Sequence, residues 1–292
     1  MRKTYLKYIL ALLLFGSNGI VASYILLSSY EIVYLRTMIG SIFLIIVFVL
    51  MKEKVQFWKN KPHFLYLVFS GVAMGASWIF LFEAYTQIGV SIATLAYYCG
   101  PVIVMILSPF LFKEKMTSAK LLGFLAVIIG MLCVNGQAFS QGRISLGLIF
   151  GILAAVMYFI MVVFNKKATS IKGLENATCQ LFISFITVAI FMSFKQGFTV
   201  HIMEGNLLPV LILGVVNTGI GCYLYFSSIG HLPVQSVSIL GYLEPLSALI
   251  FSAAILGETL NLVQIVGAVL ILGGAAYGEL FRGGNQVKNA AV

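Results

Sequence analysis

The sequence predicts an all-α integral membrane protein with ten transmembrane helices, arranged as two inverted five-helix repeats. Three observations lead to this fold class. The composition is too apolar for a soluble chain, with 61% hydrophobic and 9% charged residues. Ten apolar runs of membrane-spanning length are separated by short loops. The two halves of the chain also match each other in a single register.

The composition excludes a soluble globular protein. Soluble domains carry about 25% charged residues, whereas this chain of 292 residues has a mean hydropathy of +1.04. The surplus apolar surface must therefore face lipid. All nine acidic residues are Glu, and the three His and four Cys show no ligand spacing. We expect small core cysteines, no metal, no cofactor and no disulfide.

Apolar runs of suitable length occur ten times along the chain. A bilayer core of about 30 Å needs roughly 20 residues of helix. The predicted spans are 6–27, 31–51, 64–86, 91–112 and 117–136, then 144–165, 174–194, 206–229, 235–256 and 260–281. The first repeat is assigned to residues 1–137 and the second to residues 138–292. "GSNG" interrupts the first run, and we expect that run to be a span, not a signal peptide.

Lys and Arg are distributed unequally between the two predicted sides of the membrane. Fifteen of the 18 fall at the termini and in every second loop, whereas only Arg143 and Lys195 fall on the other side. Loops rich in Lys and Arg stay in the cytoplasm. We therefore expect a multi-pass protein of the cytoplasmic (inner) membrane with both termini inside, surrounded by the lipid bilayer. The same bias explains the net charge of +9 without a nucleic-acid partner.

A shift of 144 residues aligns the second half of the chain with the first. It places "YYCGPVIVMILSPFLFKEK" on "GYLEPLSALIFSAAILGET", so that Pro101 meets Pro245 and Glu114 meets Glu258. Because each repeat has five spans, the second copy is upside down relative to the first. The charges agree, since lysines flank Glu114 on the predicted inner side and none flanks Glu258 on the outer side. Inverted repeats are typical of secondary transporters.

The second repeat carries the clearest family signature. The run "YLEPLSALIFSAAILGE", followed by the pattern Gln264, Gly267, Leu270, Ile271 and Gly274, resembles the drug/metabolite transporter superfamily, EamA type. The resemblance covers nearly the whole chain, although Gly100 stands in the first repeat where the second has Glu244. It implies export or exchange of small metabolites, amino acids included, by alternating access around a cavity lined by spans 1, 3, 4, 6, 8 and 9. No phosphate-binding GxxxxGK[ST] loop is present, so the energy must come from a gradient.

Glu244 and Pro245 interrupt predicted span 9. An ionised carboxylate at mid-span costs about 2.5–3.5 kcal/mol on insertion scales, so Glu244 should face a cavity or a partner. We interpret it as a candidate proton-coupling residue, with a hydrogen bond to a neighbouring helix as the alternative. Pro245 removes a helical hydrogen bond and clashes with the preceding turn, and Pro101 does the same in span 4. Both prolines are predicted hinges without ligand contact.

Four further charged residues lie near the ends of predicted spans. Glu114 and Glu258 follow spans 4 and 9, and we expect both to act as structural caps on backbone N–H groups at a positive helix end. Arg36 and Glu83 are expected near the outer face, where they could pair with each other. An outer substrate gate is the alternative for these two residues.

Aromatic residues make up 13% of the chain, and most are expected to face lipid or the membrane interface. A deeper set, on spans that should line the centre, predicts a mostly apolar cavity with a few oriented polar groups. Such a cavity suits an amphipathic or aromatic small-molecule substrate. The predicted substrate-binding residues are Asn18, Ser77, Trp78, Tyr97, Tyr98, Tyr158, Asn217, Tyr223 and Tyr242. Core packing is the alternative for each of them.

Two other classes of function were compared with transport. A membrane-embedded lipid-modifying enzyme is disfavoured because catalysis would rest on Glu alone, and no catalytic residue is predicted. A channel or a non-transporting scaffold is compatible with the repeat, but no span carries the continuous polar row that a water pore needs. Glycine pairs such as those of Gly71–Gly75 and Gly147–Gly151 predict close packing within a monomeric bundle, with dimerisation as the alternative.

Overall fold

The structure is a computed structural model that describes residues 2–135, 146–195, 197, 205–257 and 261–280. In these residues all regular structure is helical. Eight helical segments of the described chain, three of which join consecutive helices, are long and apolar enough to cross a membrane. At the positions of predicted spans 4 and 5 the apolar helices are shorter. The structure therefore supports a polytopic helical membrane protein, and the count of ten spans stays a prediction.

The described residues form thirteen α-helices, one 3₁₀ turn and one π-helix. The first part of the chain contains α1 (Arg2–Gly16), α2 (Asn18–Ser23), α3 (Ser29–Leu50), the 3₁₀ turn (Phe57–Lys59), α4 (Lys61–Tyr97), α5 (Cys99–Phe112) and α6 (Ser118–Asn135). The second part contains α7 (Leu146–Lys167), α8 (Gly173–Lys195), α9 (Leu207–Leu211), the π-helix (Ile212–Ile220), α10 (Gly221–Ile229), α11 (Val234–Gly241), α12 (Leu243–Leu256) and α13 (Leu262–Leu280).

Local signals set where several helices begin. Ser28 and Glu31 form a capping box at the start of α3, in which each side chain accepts a hydrogen bond from the backbone of the other. At the start of α4, the side chain of Asn60 accepts a hydrogen bond from the backbone of His63. These bonds satisfy N–H groups that have no partner within the helix. Beyond the ends, large apolar side chains cover the outward helix faces, as lipid contact requires.

Both prolines of the predicted hinges lie at the third residue of a helix. Pro101 stands in the first turn of α5 and Pro245 in the first turn of α12. The helical structure is interrupted just before these helices, at Tyr98 and Tyr242. Proline has no N–H for the preceding turn and its ring clashes with that turn's carbonyl, so the earlier helix must end. A further break occurs within α4 at Gly89, where φ is +78°. These interruptions explain why α5, α11 and α12 are short helices.

Glycines bring several helices into close contact inside the bundle. A Cβ atom added to Gly123 on α6 would lie 2.5 Å from the carbonyl oxygen of Gly274 on α13. One added to Gly71 on α4 would lie 2.7 Å from a side-chain atom of α8, and one added to Gly147 on α7 would lie 2.7 Å from a side-chain atom of α4. These glycine faces therefore serve packing within the chain, as the sequence analysis expected. The predicted core position of Cys99 is wrong, because this residue is exposed.

Helices from both parts of the chain surround the centre of the bundle. The α1 helix packs against α10 and α12, while α7 packs against α4 and α5. The α3 helix packs against α8 and the π-helix. As a result, segments that are distant in sequence meet around one central space.

Candidate substrate cavity

A cavity of about 990 Å³ lies in the middle of the bundle. It reaches the end of the bundle where Ser29, Gly89 and Gln264 lie, which is the end predicted to face outside. At its deep end it is lined by Leu12 and Met161, near the middle of α1 and α7. The lining includes α1, α4, α5, α7, α10 and α12, and α3 also contributes, which the family resemblance did not imply.

Tyrosine rings form the deep wall of the cavity. The ring of Tyr97 contacts those of Tyr98 and Tyr158, with centroid distances of 5.5 and 5.7 Å. The hydroxyl groups of Tyr158 and Tyr225 lie 3.3 Å apart. All four side chains line the cavity. Their rings give an apolar surface, and their hydroxyl groups give a small number of hydrogen-bonding positions.

Arg36 on α3 brings a buried positive charge to the cavity wall. Its side chain is 8% exposed, and its guanidinium carbon lies 5.0 Å from the ring centroid of Trp78. Its Nε atom donates a hydrogen bond of 2.9 Å to the hydroxyl oxygen of Thr218. The two terminal nitrogens have no hydrogen-bond or carboxylate partner among the described residues. The guanidinium is thus held on one side and open to the cavity on the other.

The π-helix places the hydroxyl group that holds Arg36. In a π-helix the hydrogen bonds join residues five apart. The Thr218 hydroxyl follows the same spacing, because it donates to the carbonyl oxygen of Leu213 at 2.7 Å. Its proton is thereby committed, so its oxygen is free to accept from Arg36. π-Helical segments inside membrane or soluble helices are frequent at functional sites, and this one borders the cavity.

Glu244 lies on the opposite helix, α12, and lines the same cavity. Its carboxylate accepts no hydrogen bond from any residue that the structure describes, whereas its backbone carbonyl accepts one from Ser247. Gly16 makes room for this backbone, because a Cβ atom there would lie 2.8 Å from the Glu244 carbonyl oxygen. Arg36 lines this cavity as well. The cavity therefore carries one charge of each sign.

Eight of the predicted substrate-binding, proton-coupling and hinge residues line this cavity. They are Asn18, Trp78, Tyr97, Tyr98, Pro101, Tyr158, Glu244 and Pro245. They come from six different helices or helix junctions, so the fold brings together residues that are far apart in the sequence. Their roles in substrate binding, proton coupling and hinge motion stay predictions.

The other four predicted substrate-binding residues lie outside the lining and make contacts within the bundle. Ser77 donates a hydrogen bond to the carbonyl oxygen of Ala154, and Tyr242 donates one to that of Tyr98. The side-chain amide of Asn217 donates to two acceptors near the end of α1. The ring of Tyr223 lies under the ammonium group of Lys7, 5.4 Å from its centroid.

Sequence reasoning missed or misplaced several residues at this site. Tyr85 and Tyr225 line the cavity but were not among the predicted set. The predicted pairing of Arg36 with Glu83 is wrong, because Glu83 forms an ion pair of 3.6 Å with Lys195. Arg36 contacts Trp78 and Thr218 instead, deeper in the bundle.

The opposite end of the bundle is held together by two charged side chains. The carboxylate oxygens of Glu114 accept hydrogen bonds from the backbone N–H groups of Val234, at 2.6 Å, and Gln235, at 3.0 Å. Glu114 therefore caps the start of α11, not the helix that follows it in the chain. The ammonium group of Lys166 donates to the carbonyl oxygens of Ile229 and Leu232. We call this arrangement the inner clasp. Glu258, the other predicted cap, lies outside the described residues.

Membrane-length helices around a central cavity with charged and aromatic walls are the architecture of a polytopic membrane transport protein. The EamA-like transporter family matches residues 2–136 and 145–277. The chain belongs to this family.

The chain is also similar to individual transporters and to a solved structure. An uncharacterized transporter, YxxF, of Bacillus subtilis is 26% identical over 93% of this chain and 88% of its own length. A probable amino-acid metabolite efflux pump of Salmonella typhimurium is 27% identical over 58% of this chain and 60% of its own. A crystal structure shares the fold with a TM-score of 0.83 over 96% of this chain and 99% of that chain, at 19% identity.

Proposed function

We propose that this protein is a secondary transporter that exports or exchanges a small organic metabolite, an amino acid or a related amphiphile, by alternating access. The observation that carries the proposal is the central cavity. Its volume of about 990 Å³ lies at the upper end of the roughly 300–1,000 Å³ of small-molecule sites. Aromatic rings and two separate charges on its wall match a molecule with an apolar body and polar ends. The cavity lies within one chain, so a monomer suffices.

The ten-helix inverted repeat is part of this proposal, and the contacts at the cavity support it. Arg36 on α3 contacts Thr218 of the π-helix. In the register of 144 residues these positions correspond to Gln180 and Met74, and the Gln180 amide lies 3.9 Å from the Met74 sulfur. The same helix-to-helix contact is thus made twice, with the roles of the halves exchanged. Two similar halves that exchange conformations give the inward-open and outward-open states.

The distribution of Lys and Arg supports a cytoplasmic location for both termini. With this orientation, the cavity reaches the outer face and the inner clasp of Glu114 and Lys166 closes the cytoplasmic end. The structure then corresponds to an outward-open state. Export requires the opposite state as well, in which the clasp is open and the outer end is closed.

Glu244 is the proposed proton-coupling residue. It lines the cavity, and its carboxylate is not committed to a hydrogen bond with any described residue. A buried carboxylate whose role is to hold two helices together would accept a hydrogen bond from the neighbouring helix. The alternative of a helix-to-helix hydrogen bond is therefore less favoured than a role in binding a proton or substrate.

Substrate counterflow in proteoliposomes tests the proposed function. Liposomes containing the purified protein are loaded with one unlabelled amino acid at a time and supplied with the labelled form, with and without a pH gradient. Saturable accumulation of label above empty liposomes is the expected result. A channel would equilibrate the label without saturation or counterflow, and a scaffold would move none, so either result would contradict the proposal. A chemically altered label would indicate an enzyme, the least favoured alternative, and would also contradict the proposal.

A further inference from the structure

The cavity holds a cation that nothing in the described protein neutralises by direct contact. Arg36 is buried, and no carboxylate of a described residue lies within the 4.0 Å of an ion pair with it. Placing an arginine at membrane depth is costly, and such residues mark substrate or ion pathways. The planar guanidinium binds a carboxylate through two parallel N–H donors. The two terminal nitrogens of Arg36 are the atoms that remain available for such a contact.

The surroundings of Arg36 orient these two nitrogens. The guanidinium lies over the ring of Trp78, and Thr218 accepts from the Nε atom. Together they remove much of the rotational freedom of a long side chain before a ligand arrives. A preorganised donor loses less conformational entropy on binding than a free one. Trp78 and Thr218 therefore act as positioning residues for Arg36.

The second half of the chain makes the corresponding helix contact without a charge. At the position 144 residues after Arg36 stands Gln180, which contacts Met74 where Arg36 contacts Thr218. Gln180 is fully buried, and its side-chain oxygen accepts a hydrogen bond from Asn165. A neutral amide thus makes the corresponding helix contact. The positive charge at position 36 therefore has no counterpart in the contact of the second half, and it faces the cavity.

The geometry points to a zwitterionic substrate whose carboxylate binds Arg36 and whose protonated amine binds at Glu244, with the apolar side chain against the tyrosine wall. This inference rests on the proposed function and assigns the polar ends of its substrate. The Glu244 carboxylate lines the same cavity without a hydrogen bond from the described residues. Asn18, also in the lining, has a buried side-chain oxygen without a hydrogen-bond partner among the described residues.

Three matched ligands test the contributions of the substrate's carboxylate and amine separately. L-Phenylalanine has both charges, phenylethylamine lacks the carboxylate, and 3-phenylpropionate lacks the amine. Counterflow of labelled phenylalanine, with the other two as inhibitors, is measured for the wild type and for Arg36→Gln. Loss of a charge-assisted contact should raise the KM for phenylalanine about 10- to 100-fold. Inhibition by phenylpropionate should be lost, whereas inhibition by phenylethylamine should be unchanged.

Two further variants complete the test: one controls for general charge effects, and the other tests the positioning of Arg36. Lys195→Gln removes a cation outside the cavity lining and should leave all three ligands unaffected. Thr218→Val keeps the shape of the side chain but removes the acceptor for Arg36, and should raise KM with kcat unchanged. Arg36→Gln is expected to purify as a monodisperse protein, since Gln180 is accommodated at the corresponding position.

The outcomes separate this inference from the proposed function. If the wild type exchanges phenylalanine and Arg36→Gln does so with the same KM, the zwitterion assignment is wrong and the transporter proposal stands. If Arg36→Gln weakens all three ligands equally, Arg36 only balances the charge of Glu244, and the assignment is again wrong. If the wild type exchanges none of the amino acids, both the assignment and the proposed substrate class fail.

Discussion

The inner clasp gives a quantitative prediction about the conformational equilibrium. The perturbation is Glu114→Gln, which removes the negative charge that holds the start of α11. In the structure this carboxylate accepts two backbone hydrogen bonds, from Val234 at 2.6 Å and Gln235 at 3.0 Å. The neutral amide keeps one acceptor oxygen, so one of these bonds is lost and the other is weakened. The end of the bundle that carries the inner clasp should then open more readily.

The size of the effect follows from the two bonds. A hydrogen bond to a charged group contributes about 1.5–3 kcal/mol and a neutral one about 0.5–1.5 kcal/mol, and a charge at a helix end adds about 0.3–1 kcal/mol. Partial exposure to water at the end of the bundle reduces these figures, which leaves a net loss of about 2 kcal/mol. A change of this size shifts a two-state equilibrium about 30-fold toward the state without the clasp.

Spin-label distances across the clasp would measure this shift. The labels are placed at Lys115 and His231, two exposed positions on its two sides, in a background without the native cysteines. A new population at longer distance is expected for Glu114→Gln. Glu175→Gln is the matched control, because this carboxylate also accepts two backbone bonds but joins the loop before α4 to α8. A distance distribution for Glu114→Gln identical to that of the wild type would refute the reasoning.

Three other substitutions test packing, backbone strain and coupling. Gly274→Ala should destabilise the protein by about 1–3 kcal/mol through overpacking, because the new Cβ would lie 2.5 Å from a carbonyl oxygen of α6. The thermal unfolding midpoint should fall for this variant but not for Gly273→Ala, whose Cβ meets open space. Gly89→Ala should destabilise the protein by about 1–3 kcal/mol, because φ is +78° there, whereas Gly19→Ala in a helical position should not, in the same melting assay. Glu244→Gln should abolish the effect of an imposed pH gradient on counterflow, since the amide cannot take up a proton. Retained pH dependence would assign coupling to another residue.

The positions of the long helices could be predicted from the sequence, whereas their interruptions could not. Predicted spans 31–51 and 144–165 correspond to helices Ser29–Leu50 and Leu146–Lys167. Hydropathy reports the free energy of moving a segment into lipid, which depends on composition and length. It carries no information on backbone dihedrals. The break at Gly89 and the π-helix depend on local geometry and on bonds to other helices, so they appear only in the structure.

Aromatic residues of the predicted set line the cavity, but the sequence did not indicate which aromatic residue of each helix faces it. Tyr223 was selected, whereas Tyr225, two residues later, lines the cavity. At about 100° per residue, two such positions lie roughly 200° apart around a helix. In a soluble helix the polar face would reveal the orientation, but here both faces are apolar because one faces lipid and the other the core. The residue type predicts an aromatic wall, and only the packing of α10 shows which ring belongs to it.

The presence of a single carboxylate in the cavity wall has a steric basis in how the two halves differ. The register places Gly100 opposite Glu244, and a Cβ atom at Gly100 would lie 2.8 Å from the ring of Tyr158. The position that corresponds to Tyr158 in the first half is Leu14, which has no ring to fill the matching space. The ring of Tyr158 therefore occupies the space beside Gly100, whereas Leu14 at the corresponding position leaves room for the side chain of Glu244. Because the ring and the carboxylate occupy related positions in this register, the two halves contribute different groups to the cavity wall, and the site is asymmetric.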